Sequence, residues 1–253
     1  WALSRTSPAH PAWALPFLAA WFVAPGIAWW ISRTIESPAP DLSDAQHAFL
    51  GRTARKTWHF FEELVTAREN WLPPDNLQEV PSPRIATRTS PTNIGLALLA
   101  NLAARDFGYL SLGGLVQRTQ DTLATLQRLA RHRGHFYNWY DTRTLQPLLP
   151  LYVSSVDSGN LAGHLLTLAA GLRELADEKI FGLHVFAGVR DTVGVLGQLT
   201  GENVALAQLD ADLANAPATL PAAFAVLERA ARRADELAVS AANESEETRA
   251  WVR

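Results

Sequence analysis

The 253-residue sequence contains no cysteine. That excludes a disulfide framework and a thiolate metal site, and it is compatible with a reducing compartment. Methionine is absent as well, including at position 1, so residue 1 is expected not to be the biological N-terminus. Positive charge is not in excess: 22 Lys and Arg stand against 25 Asp and Glu, for a formal net charge of -3. Without a basic field the chain cannot gather polyanions, and nucleic acid is not an expected partner. No glycine-rich phosphate loop is present. Val156-Asp157-Ser158-Gly159-Asn160 lacks the flanking glycines of a nucleophile elbow. His132 and His135 have no evident third ligand, so no metal and no cofactor are expected. Asn243-Glu244-Ser245 fits a glycosylation sequon, a pattern short enough to arise by chance. No run alternates with strand period over enough length to propose a sheet.

What is present favours helices. Hydrophobic residues make up 48% of the chain, with Ala and Leu abundant, the composition of helix formers rather than of strands. Pro11 to Ser32 carries no charged side chain and reaches the roughly 20 residues needed to cross a bilayer. Trp13, Trp29 and Trp30 lie near its ends, where indole rings favour the headgroup level, and Arg33 follows directly. The competing reading is a core or interfacial helix kinked at Pro16 and Pro25. A signal peptide is not expected, for want of a charged start and a small-residue cleavage site.

A Pro-rich linker, Thr34 to Leu42, precedes a helix that starts near Ser43, capped by Asp41 or Ser43, and runs to about Thr66. Further helices are expected at about Pro91–Arg105 with Ser90 as cap, at Leu112–Arg131 and at Ser158–Ala176. Tyr137–Leu151 has room for a short hairpin or an extended loop. Val185–Arg253 reads as two or three amphipathic helices split by Asn215–Pro221, the last running from about Pro221 to Arg253.

Four polar loops interrupt these helices: Asn70–Glu79, Arg88–Gly95, His135–Thr142 and Val153–His164. Each carries Asn, Asp or Arg, three add small hydroxyls, and two contain Trp, which is the chemistry of a sugar site. Pyranose faces stack on aromatic rings while hydroxyls pair with carboxylates, amides and guanidinium groups. Each residue also has a plainer reading. Ser90, Thr92, Asp157 and Ser158 are good helix caps, Pro73 to Asn76 make a turn unaided, and Trp71 and Trp139 suit a core. Four such clusters at helix entrances favour binding, since loops on a rigid scaffold carry binding residues disproportionately. For glycoside chemistry, which needs two carboxylates, spacing alone nominates Asp141 and Asp157.

As a set, the segments RKTWHFFEELVTARENWLPPDNLQE, RTSPTNIGLALLANLAARDFGYL and RGHFYNWYDTRTLQPLLPLYVSSVDSGNLAGHL resemble the middle region of cyclic β-1,2-glucan synthases, over about Arg55–Leu175. Residues 1–34 resemble the last membrane helix of that family's preceding glycosyltransferase region, and 185–253 match only in helical character. The resemblance implies a fragment of a large bacterial inner-membrane enzyme. Such an enzyme makes β-1,2-glucan from UDP-glucose and cyclises it by transglycosylation in a glucoamylase-like (α/α)6 barrel, here on the cytoplasmic side. The fold class is thus all-α: a transmembrane-type helix (1–34), a linker (35–42), the first helices of an incomplete barrel (43–184) and a helical extension (185–253).

The family's proposed acid and nucleophile are glutamates in motifs not found here. The resemblance therefore replaces the nomination from spacing: no catalytic residue is expected in this stretch, and the fragment alone is expected to be inactive. The expected sugar-binding residues are Trp71, Asp75, Asn76, Arg88, Asn93, Trp139, Asp141, Asp157 and Asn160. The expected partners are a β-1,2-linked glucose oligosaccharide, the remaining domains of the parent chain, and a membrane through residues 11–32. The alternative is a helical structural or docking module with no ligand of its own.

Overall fold

The computed structural model describes residues 10–33, 41–201, 204–214, 217–240, 248–249 and 251. The fold is all-α with short strand pairs, and the chain divides into two compact units, Trp1–Leu42 and Ser43–Arg253. In the first unit α1 spans His10–Ile31, and its stretch Ala14–Ile31 is long and apolar enough to cross a membrane. Pro16 and Pro25 lie within this helix without ending it. Its large side chains, among them Phe17, Trp21, Phe22, Trp29 and Trp30, are exposed, and the Arg33 guanidinium lies over the Trp29 ring at 5.0 Å. Residues 34–40 of the expected linker, and the sequon at 243–245, lie outside the described residues.

The second unit opens with α2, Asp44–Leu64. Ser43 rather than Asp41 is its cap. The Ser43 hydroxyl accepts from the Gln46 amide while the Gln46 side chain accepts from the Ser43 N–H, a reciprocal arrangement that satisfies two orphan donors. A short 3-10 turn, Ala67–Glu69, leads through Asn70 and Trp71 (φ 54 and 58), both left-handed. Helix α3, Pro91–Asp106, starts as expected, with Ser90 accepting from the Asn93 N–H and Pro91 in the first turn. Helix α4, Leu112–Arg128, is capped by Ser111 and ends three residues before the expected Arg131, because Arg131 begins a strand. Helix α5, Ser155–Ala176, begins one turn earlier than its sequence suggests. Ser154 is the cap, so Ser158 lies inside the helix and Asp157 in its first turn.

The strands were not legible from periodicity, and each is two residues long. β1 (Leu77–Gln78) pairs with β2 (Arg84–Ile85), and β3 (Arg88–Thr89) pairs with β6 (Tyr140–Asp141). β4 (Arg131–His132) pairs with β5 (His135–Phe136) across a tight turn. The β3–β6 pair, in register Arg88↔Asp141 and Thr89↔Tyr140, ties the loop before α3 to the loop before α5. Tyr140 is fully buried there. Its hydroxyl donates to the Ala130 carbonyl and accepts from the Tyr137 N–H, so the ring packs with Leu72, Ile94, Leu126 and Leu129 at no polar cost.

Helices α3 and α5 pack closely. A Cβ on Gly95 of α3 would lie 2.2 Å from His164 of α5, and one on Gly171 of α5 would lie 2.4 Å from Leu102 of α3. The third layer is α6 (His184–Thr200), α7 (Val204–Ala214) and α8 (Leu220–Ser240). Of the last helix expected from the sequence, to Arg253, the described residues are helical to Ser240 and at 248–249 and 251; the rest of that span lies outside the described residues. Phe186, Val195, Leu209, Leu213, Val226 and Trp251 form the core of this layer. It joins α2 through Arg55 donating to Thr192 (2.9 Å) and Lys56 donating to Gln198 (2.9 Å), and Trp251 stacks on His59 of α2 (centroids 4.2 Å apart).

Candidate functional site

The four polar loops meet in part at the N-terminal ends of α3 and α5. Asp75, from the loop after the 3-10 turn, accepts from Arg88 of β3 through both Nη2 (2.8 Å) and Nε (3.1 Å), and from the neighbouring Asn76 amide (3.1 Å). Asn93, in the first turn of α3, donates to the other Asp75 oxygen at 3.4 Å. The Arg88 guanidinium lies 5.0 Å above the half-buried Trp139 ring, within cation–π range. The two-residue β3–β6 pair sets this geometry by fixing Arg88 beside the strand that follows Trp139.

Beside it, Asp157 of α5 accepts from the Thr92 hydroxyl of α3 at 2.7 Å, and the exposed Asn160 amide donates to that same Thr92 oxygen at 3.1 Å. The Asp157 N–H is held by Ser154 at 3.1 Å. Asn138 completes the arrangement. With its amide oriented so that both ends are satisfied, Nδ2 donates to Asp157 Oδ2 (2.9 Å). Its oxygen accepts from the Trp139 indole N–H (2.8 Å) and the Tyr152 hydroxyl (2.7 Å). Burial alone would raise the Asp157 pKa. Hydrogen bonds from Ser154, Thr92 and Ser90 outweigh it and hold the carboxyl below its ordinary range. A carboxylate in the first turn of α5 is also favoured by the helix dipole.

The structure thus gathers Asp75, Asn76, Arg88, Asn93, Trp139, Asp157 and Asn160 at these two helix starts. Two expected residues turn elsewhere. The Arg118 guanidinium of α4 lies over both the Trp58 and the Trp71 rings (5.2 and 5.7 Å), and Thr122 donates to the Trp71 carbonyl (3.0 Å). Asp141 sits opposite Arg88 in register, but its Oδ1 accepts from the Arg143 N–H, the Thr144 N–H and the Thr144 hydroxyl (3.0, 2.7 and 3.0 Å). Against the effect of burial, those bonds lower its pKa. Thr142 and Arg143, next in the chain, bond the buried Glu69 carboxylate. Asn138, Tyr152 and Thr92 are site residues that residue-level reasoning passed over. Asn138 and Thr92 lie within the quoted loops, but, Trp139 apart, their partners come from other segments.

A concavity of about 1360 Å³ lies toward the other end of α3, between it, α2 and α6. Leu50, Trp58, Phe61, Ala104 and Phe107 line it, and Tyr109, Asp191, His47, Arg52 and Arg190 are among its polar groups. The Tyr109 hydroxyl lies 2.7 Å from Asp191 Oδ2 and 3.0 Å from the Gly51 carbonyl. Burial raises the Asp191 pKa in spite of the Tyr109 hydrogen bond and of Arg190, Arg52 and Arg55 nearby. Among the described residues no group of three or more His, Cys, Asp or Glu side chains is placed to hold a metal ion.

The fold and this cluster define a helical protein with a polar, tryptophan-bearing surface at the starts of two helices. No family model matches the chain. Over 193 residues, 74% of its length, the chain is 44% identical to the cyclic beta-(1,2)-glucan synthase NdvB of Rhizobium meliloti (strain 1021). It is a homologue of a segment of that glucan synthase, and it spans 7% of the relative's length. A glucoamylase-like protein of Bacteroides fragilis NCTC 9343 overlaps 71% of the chain and 37% of its own, at 18% identity and a TM-score of 0.34.

Proposed function

We propose that this chain is part of a membrane-bound cyclic β-1,2-glucan synthase and supplies one wall of its glucan-binding cavity. The parent enzyme extends β-1,2-glucan from UDP-glucose and closes it into a ring by transglycosylation. The observation that carries the reading is the meeting of Asp75, Arg88, Asn93, Trp139, Asp157 and Asn160, from three loops and two helices, at one place. Trp139 offers a pyranose face a stacking surface, and the carboxylates, amides and guanidinium take its hydroxyls. Asp157 and Asp75 bind rather than transfer protons. Asp157 is held ionised by hydrogen bonds, the opposite of what a general acid needs. The catalytic carboxylates, and the helices that complete an (α/α)6 barrel, then belong to other parts of the parent chain. Helix α1 anchors the unit in the bacterial inner membrane, with the helical unit on the cytoplasmic side.

One observation favours a purely structural reading: Asp75 with Arg88, and Asp157 with Thr92, already satisfy one another. Calorimetric titration of the full chain in detergent with linear β-1,2-glucan decides between the two. The cavity reading expects saturable binding that Trp139→Ala with Asp157→Ala removes, whereas equal affinity of that double variant and the wild type would favour the structural reading.

A further inference from the structure

Asn138 stands out as a residue with more bonds than a turn needs. It is 6% exposed, in the bend between β5 and β6, and its N–H donates to the Tyr152 carbonyl at 2.9 Å. Its side-chain amide faces Asp157 Oδ2, the Trp139 indole N–H and the Tyr152 hydroxyl, all within 2.9 Å. The amide serves this set because it donates to the carboxylate and accepts from the indole and the phenol at once. A carboxylate in its place would repel Asp157, and an apolar residue would take away the acceptor of the indole N–H.

We propose that Asn138 is the positioning residue of the glucan site: its amide locks the Trp139 ring and the Asp157 carboxylate in fixed relation, so that one sugar unit meets both. The proposal rests on the glucan reading of this surface. It does not place Asn138 itself on the sugar. Free rotation about the two χ angles of Trp139 would otherwise be lost on binding, and prior locking removes that cost. Other groups around the amide are the Tyr152 phenol and, across the Trp139 ring, Arg88 with Asp75. Helices α3 and α5 contribute the hydroxyls of Thr92, Ser90 and Ser154.

The test uses the full chain in detergent, with linear β-1,2-glucan as probe, and compares Asn138→Asp with Asn138→Leu. Asn138→Asp keeps an acceptor for the Trp139 indole but loses the donor to Asp157. Near neutral pH it should bind roughly tenfold to a hundredfold more weakly than wild type. As the pH falls and the two facing carboxyls come to share a proton, the donor is restored and so is the affinity. Wild type should show no such recovery. Asn138→Leu should be weak at every pH and should shift the Trp139 indole N–H resonance, assigned through Trp139→Phe. A substitution that only loosened the fold would weaken binding without pH rescue. If Asn138→Asp binds as wild type does at neutral pH, or loses affinity without recovering it on acidification, the positioning role is overturned. If wild type itself fails to bind, the glucan reading falls and this inference with it.

Discussion

At the starts of α3 and α5, polar side chains from five segments bond one another across a half-exposed surface. Helices α6, α7 and α8 instead bury leucines and valines around Phe186 and Trp251, and use ion pairs such as Arg190–Asp210 on their outside. The contrast extends to ionisation. Asp157, in the first region, and Asp141, in the turn after β6, are held below the ordinary carboxyl value by hydrogen bonds that outweigh burial, while burial raises Asp191, which joins α6 to Tyr109 and α2. One region is organised to present charge, the other to hide it. Substitutions in the helical layer should therefore cost stability and spare binding, and substitutions at the helix starts should do the reverse.

The largest effect is expected from Leu213→Ala, whose side chain is 2% exposed in the core of the helical layer. It should destabilise the chain by about 2–5 kcal/mol in denaturant unfolding without changing glucan affinity in the folded protein. Gly188→Ala comes next. A Cβ there would lie 2.5 Å from the Gly108 carbonyl, and Gly108 needs its own positive φ of 78 to turn the chain out of α3. Backbone cannot yield as a side chain can, so a loss of about 1–3 kcal/mol is expected, read as a lower Tm. Gly95→Ala is the sharper test because it touches both regions. Its Cβ would press on His164 and part α3 from α5, so it should lower stability by a similar amount and weaken glucan binding as well.

Smaller effects follow from the opposed pKa shifts. Asp141 has a folded pKa below its ordinary value of 3.8, so its contribution is complete above that value and is lost as pH falls through the lowered one. The stability gap between wild type and Asp141→Asn should therefore narrow on acidification. Asp191 has a raised folded pKa, so its favourable contribution is present below 3.8 and disappears as pH rises through the raised value. Relative to Asp191→Asn, wild type should lose ground as pH rises. Parallel pH profiles for the two pairs would break the comparison between the regions. The smallest effect is expected at Arg190→Ala, whose pair with Asp210 is about half exposed on both sides and should cost roughly 0.2–1 kcal/mol.

The helices were readable from the sequence because their signals are local. Ser43, Ser90 and Ser111 precede apolar runs, and Pro91 opens α3 where its missing N–H costs nothing. The start of α5 is ambiguous in the sequence because Ser154, Ser155 and Ser158 are all candidate caps, and the structure uses Ser154, which accepts from the Asp157 N–H. The β3–β6 pair escaped notice because two residues cannot display a period, although that pair carries Arg88 to Trp139. Asp75, Arg88, Asn93, Asp157 and Asn160 were recognisable as residues of a polar loop at a helix start. Asp141 looked equivalent to them by type, yet its carboxylate closes a turn three residues long, a role that composition does not separate from binding. Asn138 was passed over for the converse reason, since an amide flanked by aromatic residues reads as filler until its three partners are brought together.

Under the proposed function, glucan meets the chain at the starts of α3 and α5 rather than in the largely apolar concavity between α2, α3 and α6. Hydrogen exchange of the full chain in detergent, with and without linear β-1,2-glucan, tests it most directly. Slowed exchange is expected at 75–76, 88–93 and 138–160, with 44–61 and 187–194 unchanged. Protection confined to those α2 and α6 segments, or no protection anywhere at saturating glucan, would contradict it.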